Sequence, residues 1–177
     1  MNRHLRRSYF KKLKIFLDLD GVVADFYTLL AEWFEVQHWK DIKTREEVLE
    51  RLKGTDFFSQ IPMFDNTLLI FQIVDHYSNG DWHILSTPLE GDFENSVKHK
   101  DIWLDRVLEQ AGIETIRTRN RFYSHKKWEF AEPNTVLIDD RPQNINDFIK
   151  AGGLGIRFQA NESYISKLVQ KLENIYR

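Results

Sequence analysis

The chain has no cysteine among its 177 residues. Disulfides, thiolate nucleophiles and cysteine-based zinc sites are therefore excluded. Proline (4) and glycine (8) are sparse, and no Pro/Gly-rich linker marks a second independent domain. No apolar run approaches the ~20 residues that span a bilayer. The six histidines (His4, His38, His76, His83, His99, His125) form no close pair with metal-ligand spacing, so packing or surface roles are expected of them. Net charge is only −2, too small for a polyelectrolyte partner. The charge is uneven, however. Residues 1–14 carry Arg3, Arg6, Arg7, Lys11, Lys12 and Lys14 and no acid, which leaves −8 on the remainder. This leader reads first as a solvated tail, with a weak nucleic-acid arm or a short transit segment as alternatives. No apolar stretch follows the basic start before Lys11 and Lys12, so no secretory signal is expected, and a cytoplasmic location is.

What the chain does have is a core-forming composition, 42% hydrophobic and 29% charged, and many aromatics, with 13 Phe and 5 Trp. Its organising stretch is Leu13 to Phe26. Ile15 to Leu17 reads as a buried strand, and Asp18, Asp20 and Gly21 follow it at once. Two acids at the mouth of a buried strand are costly without a cation between them. Further on, Trp82 to Leu85 reads as a second strand ending in Ser86-Thr87-Pro88. Thr135 to Ile138 is a third, ending in Asp139-Asp140, and Gly155 to Phe158 another. Glu114 to Arg117 is a short candidate strand, with a loop over Arg119 to His125.

Helical spacing covers Phe26 to Trp39, Glu46 to Leu52 behind a Thr44/Glu47 capping box, and Thr67 to Tyr77. It recurs in Phe93 to Ala111, Asn144 to Ala151 and Ser163 to Tyr176, with a helical turn or two over His125 to Ala131. Alternating strands and helices predict an α/β fold around a parallel sheet. The all-helical stretch after the first strand exceeds what one crossover needs. It predicts a small helical insert over 26–80, with the core made of 1–25 (1–12 being the basic leader) and 81–177.

In open parallel sheets, ligands bind beyond the carboxyl ends of the strands. Asp18, Asp20, Ser86, Thr87, Asp139 and Asp140 would converge there. Each motif alone has an ordinary explanation. A lone DxD is weak, Ser86-Thr87 can end a strand with local hydrogen bonds, and Asp139-Asp140 can cap a helix. Three strands ending this way in one chain point to a site. Mg²⁺ would resolve the repulsion among the carboxylates, and Lys126 or Lys127 could complete the charge balance. The chemistry this suits is phosphoryl transfer to water. Asp18 would attack phosphorus, Asp20 would move protons, and Ser86, Thr87 and a lysine would hold the phosphoryl oxygens.

Asp18-Leu19-Asp20-Gly21-Val22-Val23-Ala24-Asp25-Phe26, Ile84-Leu85-Ser86-Thr87-Pro88, a following lysine and Leu137-Ile138-Asp139-Asp140-Arg141-Pro142 together resemble the haloacid dehalogenase superfamily. Within it the chain is most similar to the 5'(3')-deoxyribonucleotidases. The resemblance spans roughly Lys14 to Phe158. It implies a Rossmann-like three-layer core with a small helical cap, and hydrolysis of nucleoside monophosphates through an aspartyl-phosphate. Asp18 would be the nucleophile and Asp20 the acid/base. Asp18, the Asp20 carbonyl and Asp140 would bind Mg²⁺, with Asp139 in support. Ser86, Thr87, Lys126 (with Lys127 as rival) and Lys100 would bind phosphate, although Lys100 also fits an ordinary surface lysine. Phe26, Phe57 and Phe58 would stack on the base, or simply pack the cap. Alternatives are a polynucleotide 3'-phosphatase, a sugar-phosphate phosphatase and a non-catalytic nucleotide-binding module. The oligomeric state is not legible; a homodimer is one candidate.

Overall fold

The computed structural model describes residues 13–113 and 120–176. The candidate strand Glu114 to Arg117 and the leader up to residue 12 lie outside the described residues. Five parallel strands form one sheet in the order β3-β2-β1-β4-β5. They are β1 (Lys14–Leu17), β2 (Trp82–Ser86), β3 (Arg121–Tyr123), β4 (Thr135–Asp139) and β5 (Leu154–Arg157). Strand β1 is central, with Ile15 opposite both Trp82 and Val136. Its three apolar residues are buried because both faces of the sheet are covered, as parallel sheets require.

The two-residue alternation of β1 sorts its side chains between two cores. Ile15 and Leu17 join Val74, Leu104 and Leu168, which belong to α4 (Thr67–Ser78), α5 (Phe93–Ala111) and α7 (Ile165–Tyr176). Phe16 points the other way, onto Leu85, Leu137, Ile145 and Phe148, under α6 (Pro142–Lys150). This is the expected α/β three-layer architecture. Among the described residues, no helix is long and apolar enough to cross a membrane.

Between β1 and α4 lie α1 (Phe26–Trp33), a 3₁₀ turn (Trp39–Asp41), α2 (Arg45–Leu52) and α3 (Phe57–Gln60). Asp25 caps α1 by accepting from Thr28 N at 3.3 Å. The helix expected to run on to Trp39 stops at Trp33, because Glu35 turns left-handed at φ 53°. Thr44 caps α2 as its sequence predicts, accepting from Glu47 N at 3.2 Å. The insert leaves and returns through a narrow stem. Ala24 pairs antiparallel with Met63, and Asp25 N donates to Pro62 O at 2.9 Å.

Helix α4, assigned to the insert over 26–80 from the sequence, packs on the sheet, against β1 and β2. Phe71 of α4 packs on Trp82 with ring centroids 5.4 Å apart, and Trp82 Nε1 donates to Asp75 Oδ1 at 2.9 Å. The helix therefore belongs to the core layer. Strand β3 occupies part of the stretch expected to be a loop. It carries no apolar run because polar contacts tie it down. Arg121 pairs with Asp101 and Asp105 of α5, and the Tyr123 hydroxyl donates to Asp101 at 2.7 Å.

The topology fixes where a ligand can sit. From β1 the chain builds outward through β2 and β3, then crosses to β4 and β5 on the other side. The switch point lies between β1 and β4, and the crevice opens at their carboxyl ends. Asp18, Asp139 and Asp140 stand there.

Candidate active site

Asp18 follows the last residue of β1 and is held in register by its own N–H, which donates to Ile138 O at 3.0 Å. The residue is buried at 4% exposure. Lys127 Nζ lies 2.9 Å from Asp18 Oδ1 and 2.6 Å from Asp139 Oδ2, so one ammonium sits between two carboxylates. Burial alone would favour a neutral Lys127 amine. The charges of Asp18 and Asp139 outweigh it and hold the lysine above its ordinary pKa. The expected lysine, Lys126, is instead exposed and pairs with Glu129 at 3.7 Å. Lys127 opens the 3₁₀ turn Lys127–Phe130 and points inward, while Lys126 and Glu129, three apart, share its outer side. Of the two candidate lysines, Lys127 and not Lys126 is therefore the one beside Asp18.

A second cation serves Asp20. Lys100, buried in the middle of α5, donates to Asp20 Oδ2 at 2.5 Å and to Ser86 Oγ at 3.0 Å. Its ammonium also lies 4.6 Å from the Phe58 ring centroid. It is no surface lysine. Asp20 has a raised pKa because it is desolvated and repelled by Asp18; Lys100 and Lys127 offset part of the shift. Thr87 lines the cleft beside Pro88.

Asp139 is saturated with donors. Oδ1 accepts from Arg141 N at 2.8 Å, Oδ2 accepts from Lys127, and Asn144 Nδ2 reaches both oxygens at 3.1 and 3.0 Å. It orients Lys127 rather than a ligand. Asp140 is different: the Tyr27 hydroxyl donates to its Oδ2 at 2.7 Å. Its pKa is pushed up to about 7, first by burial and then by the charge of Asp18.

The residues present fit a hard divalent cation. One carboxylate oxygen from each of Asp18, Asp139 and Asp140 lies within 4.8 Å of the others. With Asp139 occupied by four donor contacts, Asp18 and Asp140 are the carboxylates left to hold it. Asp18 Oδ1 is buried and, though faced by Lys127, accepts no hydrogen bond of good angle. The all-oxygen donor set suits Mg²⁺, which takes one or two carboxylates and keeps waters and phosphate as further ligands.

The raised Asp140 pKa gives a prediction with a definite sign. A carboxyl that holds its proton longer when folded is stabilising at low pH. That stability is lost as pH rises from the ordinary carboxylate range near 4 to about 7. With a chelator present, Asp140→Asn should flatten the fall of melting temperature between pH 5 and pH 7.5. His83, whose pKa burial lowers, works in the opposite direction below its ordinary value and is common to both proteins. Parallel profiles for the two proteins would contradict the assignment.

Above the carboxylates opens a cleft of about 360 Å³ lined by Asp18, Asp20, Phe26, Phe58, Thr87 and Asp140 on its chemical side. Tyr27, Trp39, Arg45, His125 and Arg141 also line it, and sequence reasoning missed all five. Arg45 of α2 forms an ion pair with Glu90, joining the insert to the loop after β2. Phe26 and Phe58 lie near-parallel at 24°, with centroids 6.3 Å apart. Phe57 does not join them at the cleft. It is fully buried edge-on against Phe26, Trp33 and Phe58, so its stacking role corrects to packing the insert.

No family model matches the chain, and no curated protein matches it. Solved structures do. A haloacid dehalogenase-like family hydrolase from Xanthomonas campestris superposes with TM-score 0.55 at 9% identity, over 97% of this chain and 95% of that one. A hydrolase from Pseudomonas syringae gives 0.51 at 11% identity, over 90% of each chain. A phosphonoacetaldehyde hydrolase-like protein from Oleispira antarctica gives 0.50 at 8% identity, over 97% of this chain and 86% of that one. At such identities the likeness shows a shared fold.

Proposed function

We propose that the chain is a Mg²⁺-dependent phosphomonoester hydrolase of the haloacid dehalogenase type, acting on nucleoside monophosphates. One observation carries the chemistry. Asp18 stands at the switch point of the sheet with Lys127 against it, and Asp20, two residues on, has its own lysine. Two carboxylates in different environments can take different roles.

Asp18 attacks phosphorus. Its new O–P bond forms as the bond to the leaving oxygen breaks, and Asp20 delivers a proton to that oxygen. The raised pKa of Asp20 suits an acid that must arrive protonated. Asp20 then takes a proton from water as the water attacks the aspartyl-phosphate. Inorganic phosphate leaves and Asp18 is restored. Lys127, with Lys100 and Ser86, offers fixed donors to the phosphoryl oxygens as charge shifts among them. Mg²⁺, held by Asp18 and Asp140, would neutralise phosphoryl charge and orient the phosphate.

The substrate reading rests on the cleft. Its volume suits a mononucleotide, and Phe26 lines it in front of Phe58. Aromatic faces there favour a planar base. The insert, on its narrow stem, would cover the site and exclude water. The test is a panel of nucleoside 5'- and 3'-monophosphates, sugar phosphates and a 3'-phosphorylated oligonucleotide. Mononucleotides should be turned over with the highest kcat/KM. Turnover of sugar phosphates or of the oligonucleotide alone would refute this substrate class.

A further inference from the structure

Tyr27 belongs to none of the motifs that define the proposed chemistry, yet it is in direct contact with them. It sits in the first turn of α1, just beyond the stem of the insert. Its hydroxyl donates to Asp140 Oδ2 at 2.7 Å across 113 residues of sequence. Its ring lies against Trp39 of the 3₁₀ turn at 4.7 Å and 30°, and edge-on to Phe26 at 5.4 Å and 89°. Gly21 makes room for this arrangement. A Cβ at that position would meet Asp140 Oδ2 at 2.7 Å and the Tyr27 ring at 3.0 Å.

Asp139 has its donors from Lys127, Arg141 and Asn144. Asp140 has Tyr27. A carboxylate that must meet a cation needs its plane fixed, and partners beyond the ligands usually fix it. We infer that Tyr27 is a positioning residue for the divalent-cation site, setting the orientation of Asp140 and tying it to the helical insert, to which both Tyr27 and Trp39 belong. The inference rests on the Mg²⁺ reading of the site.

The test is Mg²⁺ binding by titration calorimetry, without substrate, to the full chain and two variants. Tyr27→Phe keeps the ring and its packing and removes only the donor. Tyr123→Phe is the matched control, because Tyr123 makes a 2.7 Å hydrogen bond to a different aspartate, Asp101. Tyr27→Phe should raise the Mg²⁺ Kd roughly 10-fold or more, and Tyr123→Phe should leave it unchanged. The Mg²⁺ concentration for half-maximal phosphate release should rise in parallel in Tyr27→Phe. An unchanged Kd in Tyr27→Phe, or an equal rise in both variants, would overturn the inference and leave the Mg²⁺ reading standing. Failure of the unsubstituted chain to bind Mg²⁺ would overturn that reading and the inference together.

Discussion

Replacing Asp18 with Asn should lower phosphate release from a nucleoside monophosphate by at least about 10⁴-fold, with Mg²⁺ saturating. The substitution preserves size and the backbone hydrogen bond to Ile138, so the fold should survive. What it removes is the charged oxygen that would bond to phosphorus. An amide is a far weaker nucleophile than a carboxylate. Steady-state phosphate release, with the fold checked by thermal unfolding, reads the effect. Activity within ten-fold of the unsubstituted protein would mean that another group bonds to phosphorus, or that water attacks directly.

The second large effect separates two neighbouring lysines. Lys127→Met should cost about 3–5 kcal/mol of stability, because it leaves Asp18 and Asp139 buried without their common cation. Bound Mg²⁺ should restore part of that loss by neutralising Asp18. The same variant should lose about 10²–10³-fold in kcat through the missing phosphoryl donor. Lys126→Met should change stability by no more than about 0.5 kcal/mol, since an exposed pair at 3.7 Å contributes little. Urea unfolding and phosphate release on both variants check this. Equal effects, or the reverse order, would contradict the placement of Lys127.

These lysines also show where sequence reasoning stops. Strands β1, β2 and β4 were legible because burial on both faces demands an apolar run, and the acids and hydroxyls behind them broke those runs visibly. Strand β3 was not, because Arg121 and Tyr123 are satisfied by the aspartates of α5 rather than by apolar burial. Helix α4 has the same periodicity as an insert helix, and only its packing on Trp82 shows that it belongs to the core. Lys126 and Lys127 are chemically identical in sequence. Their positions at the start of a single 3₁₀ turn decide which one is buried. Phe57 and Phe58 differ in the same way, since one turn of α3 sends one ring to the cleft and the other inward. Asn144 carried a weak signal, a polar residue in the first turn of α6 close behind Asp139. Tyr27 and Arg45 carried none, because their partners lie far away in the chain and no local pattern encodes them.

The central claim is that Asp18 becomes covalently phosphorylated. The direct measurement is to quench turnover of a nucleoside monophosphate bearing labelled phosphate in acid and to map the label by peptide digestion. The account predicts a hydroxylamine-labile phosphoryl group on the peptide containing Asp18, absent in Asp18→Asn. Turnover with no label on the protein, or with label on another residue, would contradict it.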